Sequence, residues 1–97
     1  MTNHIRGETE LLINGKVHIL CLTLGALAEI EAGLDLGDSS QLSERLKKIT
    51  AKDVLVLLAA LLAGGGNPVS IQQLRISPLD PEVVAKAIAD AFLASGK

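Results

Sequence analysis

The stretch that decides the fold is residues 7–34, GETELLINGKVHILCLTLGALAEIEAGL. Within it, two runs rich in Leu, Ile and Val, residues 9–13 and 17–22, flank the dipeptide Asn14-Gly15. An Asn-Gly dipeptide between two such runs is the strongest short-range signal for a β-hairpin. The sequence therefore predicts a two-stranded hairpin that leads directly into a helix.

The register of this hairpin depends on the length of its loop. A two-residue loop would pair Leu12 with Val17, whereas a three-residue loop would pair Ile13 with Val17. The three-residue loop gathers an apolar face that consists of Leu11, Ile13, Val17, Ile19 and Cys21. A second, mixed face then carries Leu12, Leu20 and Leu22. We therefore expect the three-residue loop, with Gly15 in the left-handed conformation and a bulge beside it.

Apolar periodicity and capping residues predict the helices that follow the hairpin. These helices are expected at residues 24–32, 41–48 and 51–63 and from Pro81 onward. The expected N-caps include Thr23, Thr50 and Asp80, whose side-chain oxygens can accept hydrogen bonds from first-turn amides. Residues 70–76 fit either a short helix or an extended segment.

The predicted fold class is α+β, mainly α, with an N-terminal two-stranded β-hairpin packed on about four helices. The length of 97 residues predicts one domain over residues 1–97. Within that domain we expect a loose terminus at residues 1–6, the hairpin at residues 7–23 and a helical part at residues 24–97.

Composition argues against two classes of partner. Of all residues 48% are hydrophobic, and Phe92 is the one aromatic residue, whereas proteins that bind single-stranded nucleic acid stack bases on aromatic rings. The net charge of −2 provides no basic field for a phosphate backbone. The longest apolar run, residues 54–63, falls short of the roughly 20 residues that a membrane-spanning helix needs. We therefore expect contact with neither nucleic acid nor membrane.

No grouping of residues in the sequence predicts an active site. His4 and His18 are isolated, and no spacing of His, Cys or acidic residues is typical of a metal site. Glu8 and Glu10 share a strand face, where we expect them to be solvated or to line an interface. Cys21 has no second cysteine for a disulfide, which suits a reducing cytoplasm. We expect no enzymatic activity, no metal and no cofactor.

The apolar excess is the feature that indicates a function. Residues 54–63 are apolar nearly all round, and both hairpin faces carry Leu or Ile, so one small core cannot easily bury them all. We consider two interpretations, a well-filled core and a surface for self-association or for an apolar helix. The candidate protein-interaction residues, on the second hairpin face and the last helix, are Leu12, Leu20, Leu22, Val84, Ile88 and Phe92.

Four motifs carry a further signal. They are Arg6-Gly7-Glu8, the Asn14-Gly15 turn, LTLGALAEIE at residues 22–31 and LLAGGG at residues 61–66. Together they resemble a family of small tail proteins that are encoded in the tail gene clusters of gene transfer agents and of siphophage-like prophages. Members of that family are labelled tail tube proteins or tail assembly chaperones. The resemblance is strongest over residues 6–36 and weaker at the glycine triplet.

This resemblance implies a non-enzymatic role in tail morphogenesis, in the cytoplasm of a bacterial host or in the virion tail. It implies a chaperone that binds the tape measure protein, with the major tail protein and a second copy of the chain as further partners. The first alternative is a structural subunit associated with the tail tube. The second alternative is a small DNA-binding regulator, which a basic cluster supports slightly: Arg45, Lys47, Lys48 and Lys52. The main interpretation of that cluster is a solvated helix face and loop.

Overall fold

A computed structural model describes residues 8–37 and 41–94 of the chain. The predicted loose terminus at residues 1–6 therefore lies outside the described residues. Two strands are followed by five helices: β1 (Glu8–Ile13), β2 (Lys16–Cys21), α1 (Leu24–Gly33), α2 (Leu42–Lys47), α3 (Ala51–Gly64), α4 (Ile71–Ile76) and α5 (Pro81–Ala94). The predicted α+β class, mainly α, is confirmed. The undecided stretch at residues 70–76 forms α4, which brings the described helices to five.

The hairpin turns through a two-residue loop, so the predicted three-residue loop is wrong. Ile13 pairs with Lys16, and Leu12 pairs with Val17. Asn14 has a φ of 53° and Gly15 a φ of 78°, which are values typical of a type I′ turn. The twist of that turn matches the right-handed twist of the strands, and this match favours it over a bulged loop.

The change of register alters which side chains share a face. A shift of one residue along one strand exchanges that strand's inner and outer side chains. Leu11, Ile13 and Leu20 point into the core, whereas Leu12 and Val17 remain 63% and 58% exposed on the outer side. The prediction that Leu12 and Leu20 lie on one face is therefore wrong.

Helix α3 is the centre of the fold. Its length and its nearly continuous apolar surface allow it to pack against β2, α1, α4 and α5. Leu57, Leu61 and Leu62 are fully buried on it. Helix α5 covers β1 with its apolar side, which contributes Val84, Ala87, Ile88 and Ala91 to the core. The all-round apolar pattern of α3 is thus explained largely by a position between other elements.

The predicted N-caps at Thr23, Thr50 and Asp80 are confirmed. Thr23 Oγ1 accepts a hydrogen bond from the amide of Ala26 at 3.0 Å, and Asp80 Oδ1 accepts one from Glu82 at 2.9 Å. Thr50 and Asp53 form a reciprocal capping box at the start of α3. These bonds satisfy first-turn amides that have no partner within the helix, and so they fix where each helix begins.

Candidate protein-binding groove

Two adjoining depressions lie along the outer side of α3. The first has a volume of about 490 Å³ and is lined by Ala51, Lys52, Leu55, Val56, Ile71 and Arg75. The second has a volume of about 410 Å³ and is lined by Glu29, Ala32, Gly33, Val56, Ala59, Ala60, Ala63 and Ile71. Because both are lined by Val56 and Ile71, they form one continuous feature between α1, α3 and α4. We call it the α3 groove.

The walls of the α3 groove are aliphatic and its floor is made of small residues. Gly33 lets α1 lie close to α3, since a Cβ at that position would come within 2.5 Å of Cγ1 of Val56. The short side chains of Ala59 and Ala63 on α3 form a shallow surface next to α1. On the opposite wall, Ile71 of α4 is 40% exposed. A surface of this shape admits another backbone at close range.

Charged residues are placed at the two ends of the groove. Lys52 and Arg75 line the end at the N-terminus of α3, and Glu29 lines the end towards its C-terminus. Among the described residues neither cation forms an ion pair. The groove is therefore apolar along its length and differs in charge between its ends.

The N-terminus of α3 is held by a bidentate ion pair. Arg45 of α2 donates from Nε to Oδ2 of Asp53 at 3.0 Å and from Nη2 to Oδ1 at 3.2 Å. A third bond, from Nη1 to the carbonyl oxygen of Leu34 at 3.1 Å, ties the end of α1 to the same guanidinium. The hydrogen bonds from Arg45 hold the pKa of Asp53 below its ordinary value of 3.8, against the opposing effect of burial. Arg45 thus has a structural role that the sequence grouping with neighbouring lysines did not predict.

The C-terminus of α3 is held by close backbone packing. A Cβ at Gly64 would collide with the carbonyl oxygen of Cys21, and one at Gly65 would collide with that of Ile19. Gly66 follows with a φ of 86°, and the amide of Asn67 donates to the carbonyl of Leu62 at 2.9 Å, which closes a Schellman motif. The glycine triplet therefore ends the helix, as predicted, and also lets it touch the edge of β2.

The predicted interaction residues are divided between the core and the surface. Leu20, Val84 and Ile88 are buried in the core of the monomer, which leaves almost none of their surface accessible, and their role in binding a partner stays a prediction. Their side chains face the core between α3, α5 and the hairpin instead of solvent. Leu22 and Phe92 are half-buried against the core, and Leu12 is exposed.

Leu12 belongs to a second, smaller apolar patch. It lies with its cross-strand partner Val17 and with Val83 of α5 around a depression of about 380 Å³. The residues of the α3 groove were not named individually from the sequence. The signal that could have found them was the all-round apolar pattern of α3, because a helix with four neighbours still leaves part of such a surface uncovered.

The described residues hold neither a candidate metal cluster nor a candidate membrane span. They contain no group of three or more His, Cys, Asp and Glu side chains that could hold a metal ion. No helix among them combines the length and the apolar character needed to cross a bilayer.

Partial burial, with a smaller contribution from Glu8, raises the pKa of the Cys21 thiol above its ordinary value of 9.0. A raised pKa lowers the thiolate fraction and so lowers the nucleophilicity of this cysteine at neutral pH.

A comparison with protein families matches residues 6–95 to the family described as phage tail tube protein, GTA-gp10. The chain belongs to this family. The match extends well beyond residues 6–36, where the sequence resemblance is strongest, and includes α4 and α5. No curated protein and no solved structure matches the chain. This GTA-gp10 family member is therefore a phage or gene-transfer-agent tail protein with a hairpin and a helical body.

Proposed function

We propose that this GTA-gp10 family member assists tail assembly without catalysing a reaction, as a chaperone for the tape measure protein. In this role it covers apolar helical segments of the tape measure in the host cytoplasm until tube subunits polymerise around them. The observation that carries the proposal is the α3 groove, which is open, aliphatic and lined by small residues. Grooves of this kind recognise the apolar face of an amphipathic helix.

Co-expression tests this function directly. The tape measure protein of the same tail gene cluster is produced in bacteria with and without this chain, and its soluble fraction is measured after centrifugation. We expect a several-fold rise in soluble tape measure and co-purification of the two proteins. An unchanged soluble fraction together with no co-purification would contradict the chaperone role.

A second candidate function is a structural subunit associated with the tail tube, and the family description favours it. A tube subunit needs surfaces that contact its own copies, and the patch of Leu12, Val17 and Val83 supplies exposed apolar side chains. The described residues, however, form one two-stranded sheet, whereas the rings of tail tubes are usually built from larger sheets. We therefore place this function second. The family description supports a tail role over that of a small DNA-binding regulator.

Analysis of purified particles separates the two candidates. Quantitative mass spectrometry of mature tails gives the number of copies of this chain for each tape measure protein. A chaperone that is released should be nearly absent, whereas a tube-associated subunit should be present in many copies. Abundant incorporation would overturn the chaperone proposal in favour of the structural one.

A further inference from the structure

We infer that the α3 groove binds a client helix in one direction, with the N-terminus of the client beside Glu29 and an acidic C-terminal end beside Lys52 and Arg75. The inference rests on the proposed chaperone function and deepens it, because it specifies the charge pattern and the orientation of the client. The occupant is an amphipathic helix of a partner protein that carries an aliphatic stripe and carboxylates near its C-terminal end.

The dimensions of the groove fit about three turns of helix. Its lining extends along α3 from residue 52 to residue 63, which is about 17 Å at a rise of 1.5 Å per residue. Aliphatic side chains of the client at positions i, i+4 and i+7 would follow the groove from end to end. The small residues Ala59 and Ala63 leave room for such side chains and for a close approach of the client backbone.

Charge complementarity sets the direction. A helix carries partial positive charge at its N-terminus and partial negative charge at its C-terminus. Lys52 and Arg75 at one end of the groove attract the C-terminus of a client, and Glu29 on the other side attracts its N-terminus. Carboxylates in the last turns of the client would strengthen the contact with Lys52 and Arg75, because both cations are exposed and form no ion pair among the described residues.

The dipole of α3 favours the same direction. Helix α1 is antiparallel to α3, since Gly33 at its end lies against Val56 and Ala26 near its start lies by Gly64. The proposed client is therefore parallel to α1, but α1 supplies fewer lining residues of the groove than α3 does. A client oriented as proposed is antiparallel to α3, which forms the floor of the groove. Its dipole then opposes that of the helix with which it makes most contact, and this arrangement is favourable.

Two synthetic peptides of the same composition test the direction. Each has about 18 residues with a Leu/Ala stripe and a covalent side-chain staple that keeps both peptides equally helical, and one has lysines at its N-terminal end and glutamates at its C-terminal end. The second peptide has the charges exchanged. Fluorescence anisotropy with the full chain should show about tenfold tighter binding of the first peptide at low salt. The preference should shrink as salt rises, because exposed charges are screened.

Matched variants locate the binding. Ala59→Gln places a longer neutral side chain on the groove floor and should weaken both peptides about tenfold or more, whereas Ala89→Gln on the exposed side of α5 should change neither. The double variant Lys52→Glu, Arg75→Glu should reverse the preference between the peptides. Circular dichroism checks that each variant keeps the helix content of the unmodified chain.

Three outcomes would overturn the inference. Equal binding of the two peptides would exclude a preferred direction, and peptide binding unaffected by Ala59→Gln would place the site elsewhere. A self-association that Ala59→Gln abolishes, measured by light scattering, would assign the groove to a second copy of the chain. If the peptides behave as expected but the tape measure is not solubilised in co-expression, the chaperone function fails and the directional groove stands. If the tape measure is solubilised but the peptides are not distinguished, the chaperone function stands and the preferred direction of the groove fails.

Discussion

The two ends of α3 are held in place by different forces. At the C-terminus, Gly64 and Gly65 lie against the outward-facing carbonyl oxygens of Cys21 and Ile19 on β2. The fit there depends on the absence of side-chain atoms and on backbone shape. At the N-terminus, Asp53 binds the guanidinium of Arg45 and the amide of Thr50. The fit there depends on charge and on donor geometry.

This difference has consequences for how each junction responds to change. A steric fit between backbones is insensitive to pH and salt but does not tolerate added volume. An ion pair tolerates small shifts of its long side chains but depends on the protonation of its carboxylate. The helix that lines the α3 groove is therefore fixed to the hairpin by shape and to α2 by charge, and the following predictions test that division.

The largest effect is expected from Gly65→Ala. The new Cβ would collide with the carbonyl of Ile19, which belongs to the backbone and cannot rotate away. We expect a loss of about 3 kcal/mol in the free energy of unfolding, at the upper end of the range for overpacked substitutions. Urea unfolding followed by circular dichroism measures this loss.

Gly25→Ala is the matched control. The nearest atom to a Cβ at Gly25 would be 3.8 Å away, so this variant should gain about 0.5 kcal/mol in the free energy of unfolding. A loss of less than about 1 kcal/mol for Gly65→Ala would contradict the steric junction.

A smaller effect is expected from Asp53→Ala at the other end of α3. The variant loses the ion pair and the reciprocal half of the capping box. We expect a loss of about 2 kcal/mol, below the ~3–5 kcal/mol typical of fully buried pairs, because the side chain of Arg45 is 41% exposed and can be hydrated. The same unfolding experiment measures it. Glu82→Ala, in the first turn of α5, removes an exposed carboxylate and should change the stability far less.

Acidification should reduce the effect of Asp53→Ala. The pKa of Asp53 is lower in the folded state than its ordinary value of 3.8, so the unfolded chain takes up the proton first. The stabilisation by Asp53 is therefore complete well above pH 3.8 and is lost as the pH falls through that value towards the folded-state pKa.

Unfolding curves of the unmodified chain, Asp53→Ala and Gly65→Ala at several pH values between about 7 and 3.5 make this comparison. The stability difference between the unmodified chain and Asp53→Ala should narrow at the acidic end. The difference for Gly65→Ala should stay constant. If the stability differences for the two variants changed with pH in the same way, the two ends of α3 would not differ in their dependence on protonation, contrary to this prediction.

The smallest effect is expected from Leu12→Ser. Leu12 lies on the outer side of the hairpin, away from the junction with α3, and is 63% exposed. The free energy of unfolding should change by no more than about 0.5 kcal/mol. Leu20→Ala, on the inner side, serves as the contrast and should cost about 3 kcal/mol in the same assay. If the Leu12 variant were the more damaging of the two, the two-residue turn and its register would be wrong.

Local signals in the sequence predicted most of the secondary structure. The Asn14-Gly15 turn, the caps at Thr23, Thr50 and Asp80 and the stop at the glycine triplet each depend on residues a few positions apart. They were found because capping and turn chemistry is local. The register of the hairpin was predicted wrongly, because apolar patterning alone favoured one loop length, whereas the strand twist and the packing of Leu20 favour the other.

The candidate site was harder to predict. Leu20, Val84 and Ile88 carry the same apolar signal whether they face a core or a partner, and periodicity does not distinguish these two environments. The α3 groove is lined by residues from three separate helices, α1, α3 and α4. Which side of an apolar helix stays open depends on where its neighbours lie.

The sequence by itself determined the class of the fold, the positions of the main helices and the resemblance to tail proteins, since each depends on residue order and local chemistry. Tertiary structure decided that Arg45 binds Asp53, that Gly64 and Gly65 lie directly against the backbone of β2, and that one side of α3 is left uncovered. Arg45 and Asp53 are only eight residues apart, on consecutive helices, whereas the contacts of Gly64 and Gly65 join segments more than 40 residues apart. All of these features depend on the relative positions of separate elements, which are set only when the helices pack around α3.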